Sequence, residues 1–286
     1  MNKFEILSHD NLRLSGYDWP SNQYPDSPIA VLILVHGIAE HCKRYEYFAK
    51  FFNDNDIAVV SMDLRGHGLS EGKHTYIPTA EAIYQDVDSL IKKAKCRYRN
   101  CPAILYGHSM GGSIVLSYTL NRYSNPSDKC PYQALIVSSP WIRLARFLQP
   151  PRPIHSLIRK FSRIRPSLKV PLRFNPAKIT RDEHIVYTYN DDPDIRRSAT
   201  LSLAYTMGNI ARKLDRSNST FYIPVLIQHG SADAITSHKA SSKFANRGKN
   251  IQFQSWPNCF HELHNEPERE EILHFILDWI HEKAID

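Results

Sequence analysis

The sequence has few cysteines and no long apolar run. Its 286 residues include five cysteines, an odd number whose spacing fits neither a disulfide framework nor a CxxC metal or redox site. We therefore expect reduced thiols. The longest apolar run, residues 29–35, is far shorter than the roughly 18–20 residues of a membrane-spanning helix. Because the N-terminus also lacks the apolar core of a signal peptide, the sequence predicts a cytoplasmic protein.

Acidic residues are missing from one long segment. From Trp141 to Arg181 there are eleven Lys or Arg residues and no Asp or Glu, whereas the rest of the chain has 25 basic and 29 acidic residues. All the excess positive charge therefore lies in this segment. Anionic lipid headgroups fit such charge, whereas the segment has no motif for nucleic acid, which we do not expect as a partner. We expect residues 141–181 to contact an anionic membrane surface peripherally, with a solvated basic face as the alternative.

Strands and helices alternate along most of the chain. Apolar and alternating runs predict eight strands, at residues 4–7, 12–17, 30–35, 57–61, 103–106, 134–137, 223–228 and 251–254. Helical periodicity predicts helices at residues 44–53, 80–98 after an N-cap at Thr79, 109–121, 237–246 and 267–282. This order predicts an α/β fold with a mostly parallel eight-stranded sheet and helices on both faces.

The alternation stops in the middle of the chain. Residues 141–218 contain many prolines and short amphipathic pieces but no clean strand pattern. We interpret them as an inserted cap over a core made of residues 1–140 and 219–286. Ligands of such folds bind in loops beyond the carboxyl ends of the strands, so motifs directly after strands are the best candidates for function.

One such motif is Gly107-His108-Ser109-Met110-Gly111, which follows a predicted strand and precedes a predicted helix. Gly-x-Ser-x-Gly in this position is typical of a nucleophile elbow, a sharp turn that presents the serine hydroxyl above the sheet. A glycine-rich turn with a capping serine is the alternative. We predict that Ser109 is a catalytic nucleophile.

A serine nucleophile needs a base, and the base needs an acid, which follow the elbow in the order acid and then histidine. Asp233 and His261 come after the last two predicted strands in that order, so both can reach the same end of the sheet as Ser109. Helix capping is the alternative role of Asp233, and His264 is the alternative base. Rival acids inside the cap are Asp191, Asp192, Asp194 and Asp215.

Backbone amides are the candidates for stabilising the oxyanion of the reaction. Two N–H groups usually stabilise the oxyanion, one after the nucleophile and one in an early loop, which predicts Met110 and Ile38.

The residues 261–264 lack the His-Glu-x-x-His spacing of a zinc helix, so we expect no metal. The stretch from Asp63 to Gly72 lacks the Gly-Lys-Ser/Thr of a phosphate loop and predicts a structural turn.

Together these motifs resemble the α/β-hydrolases of the monoacylglycerol lipase and lysophospholipase group. The matching stretches are His36-Gly37-x-x-Glu40-His41, Asp63-x-Arg65-Gly66-His67-Gly68-x-Ser70, residues 107–112, Gly230-Ser231-Ala232-Asp233 and residues 261–266. The resemblance implies an α/β-hydrolase fold, a triad of Ser109, Asp233 and His261, oxyanion donors at Ile38 and Met110, and a cap over an acyl pocket.

The chemistry expected of this set is hydrolysis of a carboxylic ester of a single-chain lipid through an acyl-enzyme, without a cofactor. Large apolar side chains at the start of the cap are predicted to bind the acyl chain, with packing of the cap as the alternative; they are Trp141, Leu144, Phe147 and Leu148. The sequence leaves open whether the substrate is a monoacylglycerol or a lysophospholipid. An esterase or amidase for small soluble substrates, and a non-catalytic binding protein, are the alternative functions.

Overall fold

A large sheet forms the centre of the protein, whose computed structural model describes residues 1–149 and 151–285. The strands are β1 (Asn2–Leu7), β2 (Arg13–Trp19), β3 (Ala30–Val35), β4 (Ile57–Met62), β5 (Ala103–His108), β6 (Ala134–Ser138), β7 (Lys169–Pro171), β8 (Ser198–Thr200), β9 (Thr220–Gly230) and β10 (Lys249–Trp256). Eight of them form the sheet in the order β1-β2-β4-β3-β5-β6-β9-β10, and β7 pairs with β8. Because β3, β4, β5, β6, β9 and β10 are parallel, the predicted mostly parallel eight-stranded sheet is confirmed.

Helices cover both faces of the sheet. They are α1 (Glu46–Asp54), α2 (Ala80–Arg97), α3 (Met110–Arg122), α4 (Arg152–Ile164), α5 (Glu183–Asp191), α6 (Leu201–Arg216), α7 (His238–Arg247) and α8 (Arg269–Ile280). Every residue of β3 is buried, and alternate side chains enter two separate cores. One core contains Ile33 together with residues of α2, α3 and α7, and the other contains Leu34 together with residues of α1 and α8.

The ends of several elements differ from the predicted ones because of local contacts. Thr79 caps α2 as expected, since its side chain accepts a hydrogen bond from the Ala82 amide. The helix predicted from residue 44 begins as a 3-10 turn, Cys42–Tyr45, and becomes α-helical at Glu46. Strand β9 begins at Thr220, three residues earlier than predicted, because Thr220 pairs with Lys249 of β10.

The residues between β6 and β9 include the segment that the sequence predicts as an inserted cap. They contain α4, α5, α6 and the short pair β7–β8, although the sequence shows no strand pattern there. Helix α6 packs against both α3 of the core and α4. The division at residues 141 and 218 stays a prediction. Within residues 1–149 and 151–285, none of the helices combines the length and the apolar character needed to cross a membrane.

Candidate active site

Ser109 lies on a strained turn between β5 and α3. Its φ of 54° and ψ of −114° are unfavourable for a residue with a side chain. The flanking glycines make the turn possible: a Cβ on Gly111 would collide with the carbonyl oxygens of Val35 and His36, and a Cβ on Gly107 would press on Gly111. The turn therefore has the geometry that the Gly-x-Ser-x-Gly motif predicts.

The structure brings Ser109, His261 and Asp233 together from three loops that follow β5, β10 and β9. His261 Nε2 lies 2.9 Å from Ser109 Oγ, and His261 Nδ1 lies 2.7 Å from Asp233 Oδ2. The side chains of His261 and Asp233 are buried, and Ser109 is 5% exposed. This is the order of nucleophile, base and acid that activates a serine hydroxyl.

Asp233 is held as a carboxylate by several donors. Its Oδ1 accepts hydrogen bonds from the amides of Ile235 (2.7 Å) and Thr236 (3.0 Å), and its Oδ2 lies 3.0 Å from Nε2 of His229. Burial opposes ionisation, but His261 and the hydrogen bonds from the two histidines keep the pKa of Asp233 well below its usual range. His229 is not among the residues predicted for the site, although its place four residues before Asp233 at the end of a strand was a usable signal.

The pairing with Asp233 raises the pKa of His261. Burial favours the neutral imidazole, but the charge of Asp233 and its hydrogen bond outweigh burial and raise the pKa of His261 above its ordinary 6.5. The neutral imidazole, which can accept the proton of Ser109, therefore forms at higher pH than it does in an ordinary histidine.

The alternative base His264 and the alternative acids Asp192 and Asp215 contact other side chains. His264 is 2% exposed and stacks on the ring of Tyr45 at 4.6 Å, and neither of its ring nitrogens has a hydrogen-bond partner in the described part of the chain. Burial lowers the pKa of His264 to about 4. The rival acid Asp192 binds Nε2 of His41 at 2.8 Å, and Asp215 pairs with Arg143. We therefore keep Asp233 and His261 as the candidates.

The amides of Ile38 and Met110 are available as oxyanion donors. Met110 is the first residue of α3, and the first amides of a helix have no acceptor within it. Among the described residues the Ile38 amide donates no hydrogen bond, and Ile38 borders the same cavity as Ser109. The loop after β3 is tied to the segment between β6 and β9, because the Arg196 amide donates to the Ala39 carbonyl at 2.8 Å.

A cavity of about 610 Å³ borders Ser109 and is lined mostly by residues of the segment between β6 and β9. Trp141, Leu144 and Leu148 line it, together with side chains of α4 and α6 and of the segment 170–174. The prediction for Phe147 is wrong: its side chain is 72% exposed and does not border the cavity. Phe147 lies in the turn Arg146–Leu148, in which Leu148 borders the cavity.

Two groups of possible metal-ligating side chains occur in the described residues. One contains His41, Asp192 and Asp194. The other contains Cys259, Glu266 and Glu268. The guanidinium of Arg181 already binds both glutamates of the second group, so a cation is in place there. Neither group belongs to the Ser109 site, and the expected absence of a metal stays a prediction.

Comparison with known proteins identifies the family. Residues 26–268 match the model of the serine aminopeptidase S33 family. The chain belongs to this family. A monoacylglycerol lipase of Mycolicibacterium smegmatis is 27% identical over 260 residues, which make up 90% of this chain and 90% of that protein.

Two further matches bear on the length and the fold of this hydrolase. An uncharacterised abhydrolase domain-containing protein of Dictyostelium discoideum is 30% identical over 281 residues, 97% of this chain but only 29% of the Dictyostelium protein. The crystal structure of a monoacylglycerol lipase of Paleococcus ferrophilus matches with a TM-score of 0.81 and 24% identity, over 93% of this chain and 97% of that one. The predicted α/β-hydrolase fold is confirmed, and so is the predicted enzyme class, a carboxylic ester hydrolase.

Proposed function

We propose that this hydrolase cleaves carboxylic esters of single-chain lipids through an acyl-enzyme on Ser109. The observation that carries the proposal is the hydrogen-bonded series Ser109–His261–Asp233, whose Ser109 borders the large, mostly apolar cavity. Each CH₂ group that enters such a cavity contributes about 0.8 kcal/mol of binding free energy. An acyl chain in the cavity therefore positions the ester carbonyl at Ser109.

The reaction proceeds in two halves. His261 Nε2 takes the proton of Ser109 Oγ as this oxygen attacks the ester carbonyl, and the amides of Ile38 and Met110 stabilise the oxyanion. The tetrahedral intermediate collapses when His261 gives its proton to the leaving alcohol oxygen. Water then attacks the acyl-enzyme with the same histidine as base, and this step releases the fatty acid and Ser109.

Ester hydrolysis at Ser109 is tested with a series of p-nitrophenyl esters from acetate to palmitate. We expect kcat/KM to rise with chain length while the cavity fills, and Ser109→Ala to abolish turnover of all members, by about 10⁴-fold or more. A fluorophosphonate should label the wild type and not the variant. A preference for acetate would favour an esterase for small soluble substrates, and labelling of another serine in the variant would refute the assignment.

We also propose that the cap attaches the hydrolase to anionic lipid surfaces. Helix α4 presents apolar side chains to solvent at intervals of three and four residues, among them Leu157, Phe161 and the 63% exposed Ile164. Exposed basic side chains flank them: Arg159, Lys160, Arg163 and Arg165. In the described part of the chain none of these four has a carboxylate within ion-pair distance. An exposed apolar stripe with flanking cations fits a lipid–water interface.

A further inference from the structure

A second cavity lies between the start of α2 and helix α6, and no residue of the triad borders it. Its volume is about 460 Å³, which is within the range of about 300–1,000 Å³ for sites that bind small molecules. In the described part of the chain, the charged side chains that border it are Arg212, Lys213 and Arg216, all of them exposed residues of α6. We call it the basic cavity.

The positive charge of the basic cavity is not neutralised by acidic side chains. Among the residues that the structure describes, no Asp or Glu borders the cavity, and Arg212, Lys213 and Arg216 have no carboxylate within ion-pair distance. The acidic neighbours in the sequence, Glu81 and Asp215, pair with other arginines. An anion can therefore bind to these cations without displacing a carboxylate.

Two further observations show that the surroundings of the basic cavity favour negative charge. A hydrogen bond with Asn209 and the charges of three arginines lower the pKa of Tyr205, which borders the cavity, below its usual range. The arginines are Arg163, Arg159 and Arg212. Helix α2 also begins at this cavity, and the amides of its first turn add a partial positive charge.

The other side of the basic cavity is apolar. Pro78, Ala80 and Ile210 border it, together with Tyr84, whose hydroxyl is already engaged by Ser117. A water-sized group needs about 10–15 Å³ by the same measure, so the cavity has room for a chain of about ten carbon atoms with its head group. Cations on one side and apolar groups on the other fit an anionic amphiphile better than a bare inorganic anion.

We propose that the basic cavity is a second lipid site, which binds a free fatty acid with its carboxylate on Arg212, Lys213 and Arg216. Hydrogen bonds between a carboxylate and these cations are charge-assisted and therefore strong. Ester hydrolysis at Ser109 releases such a fatty acid. Only this origin of the ligand rests on the function proposed above, because the argument for the site uses the residues of the basic cavity alone.

The basic cavity is distinguishable from the acyl cavity by the residues that border each one. Arg212 and Arg216 border both, whereas Lys213, Pro78 and Tyr84 border only the basic cavity. Binding at the two places can therefore be separated by the position of a covalent label and by substitution of Lys213.

The test uses a ten-carbon fatty acid that carries a photoreactive diazirine on its chain. After irradiation of the wild type, we expect crosslinks within residues 78–84, mapped by mass spectrometry. Decanoate should compete for this labelling. Decyltrimethylammonium has the same chain with the opposite charge, and inorganic phosphate has the charge without a chain, so neither should compete at the same concentration.

Lys213→Glu reverses one charge of the basic cavity and should weaken competition by decanoate about tenfold or more. Lys92→Glu makes the same change at an exposed position of α2 that does not border the cavity, and it should leave the labelling unchanged. Thermal unfolding near the wild-type midpoint shows that both variants are folded.

Absence of crosslinks within residues 78–84, or equal labelling of the wild type and a folded Lys213→Glu protein, would overturn the site. Competition by phosphate as strong as that by decanoate would reject a fatty acid as the ligand. Competition by phosphatidylserine vesicles but not by decanoate would make these cations part of a membrane-binding surface instead. Loss of ester hydrolysis from the wild type would refute the proposed function and leave the labelling result unaffected.

Discussion

His229 and His261 share one carboxylate oxygen. Oδ2 of Asp233 lies 3.0 Å from His229 Nε2 and 2.7 Å from His261 Nδ1. His229 is itself positioned by Ser241, whose hydroxyl lies 2.9 Å from its other ring nitrogen. A carboxylate with this many partners has one orientation, so the imidazole of His261 is directed at Ser109 by groups from β9, from the loop after it and from α7 rather than by Asp233 alone.

The two neighbouring histidines of the last loop should differ in their effect on catalysis. His261→Ala removes the base and should lower kcat by about 10⁴–10⁶-fold, as much as Ser109→Ala, because nucleophile and base act as one unit. His264→Ala removes a buried ring stacked on Tyr45 and should lower the thermal midpoint by several degrees, with less than about tenfold loss of kcat. Esterase assays and thermal unfolding of both variants check this, and the opposite pattern would make His264 the base.

The rate should depend on pH through His261. Because its pKa is raised above 6.5, the protonated and inactive form persists to higher pH than for an ordinary histidine. The acid limb of kcat/KM should therefore have its midpoint above 6.5. Asp233→Asn removes the group that raises this pKa and should lower the rate by about 10⁴-fold.

The residual activity of Asp233→Asn provides the control for the pH profile. Its acid limb should move to lower pH than in the wild type, which is measurable with an activated p-nitrophenyl ester. An acid limb at the same pH in both proteins would mean that another group controls the profile.

Gly208 allows a direct test of the acyl cavity. It lies in the middle of α6 and borders the cavity, and a Cβ at this position would meet no atom within 4 Å. Gly208→Ala should raise the free energy of unfolding by about 0.5–1 kcal/mol, because alanine loses less backbone entropy in a helix. It should leave the esterase rate nearly unchanged.

A larger side chain at the same position should shorten the cavity. Gly208→Leu is expected to lower kcat/KM for p-nitrophenyl palmitate by about tenfold or more and to spare the butyrate ester. Chain-length profiles of the wild type, Gly208→Ala and Gly208→Leu give the comparison. Equal losses on both esters would place the acyl chain elsewhere.

The basic side chains of α4 and its C-terminal end should control membrane attachment. Each Lys or Arg near an anionic surface contributes about 1 kcal/mol, screened over a Debye length of roughly 8 Å at physiological salt. Joint replacement of Arg159, Lys160, Arg163 and Arg165 by Gln should weaken co-sedimentation with phosphatidylserine vesicles and slow hydrolysis of lipid presented in them. Hydrolysis of a soluble butyrate ester should be unchanged.

A matched variant removes four exposed positive charges that lie outside residues 141–218: Lys92, Arg99, Lys243 and Lys249. It has the same net charge as the cap variant, so it should bind the vesicles like the wild type if the location of the charge matters. Equal loss of binding in the two variants, or equal binding of the wild type to neutral and anionic vesicles, would leave the cap charges as an ordinary solvated surface.

The sequence by itself determined the parts of this protein that depend on short-range patterns. The buried run of β3, the helix cap at Thr79 and the glycines around Ser109 each follow from local sterics or local hydrogen bonding, so they are visible in a few consecutive residues. The meeting of Ser109, Asp233 and His261 could also be predicted, because parallel strands end at the same edge of a sheet.

Only the tertiary structure decided which side chains of distant segments meet. Nothing local in the sequence shows that His229 shares Asp233, that Phe147 faces solvent while Leu148 faces the cavity, or that Glu262 reaches Arg44 across 218 positions of the chain. In the cap the sequence pattern is weak, because short amphipathic pieces can place either face inward until the core they cover is present. Packing of the cap on that core therefore sets the cavity and its charges.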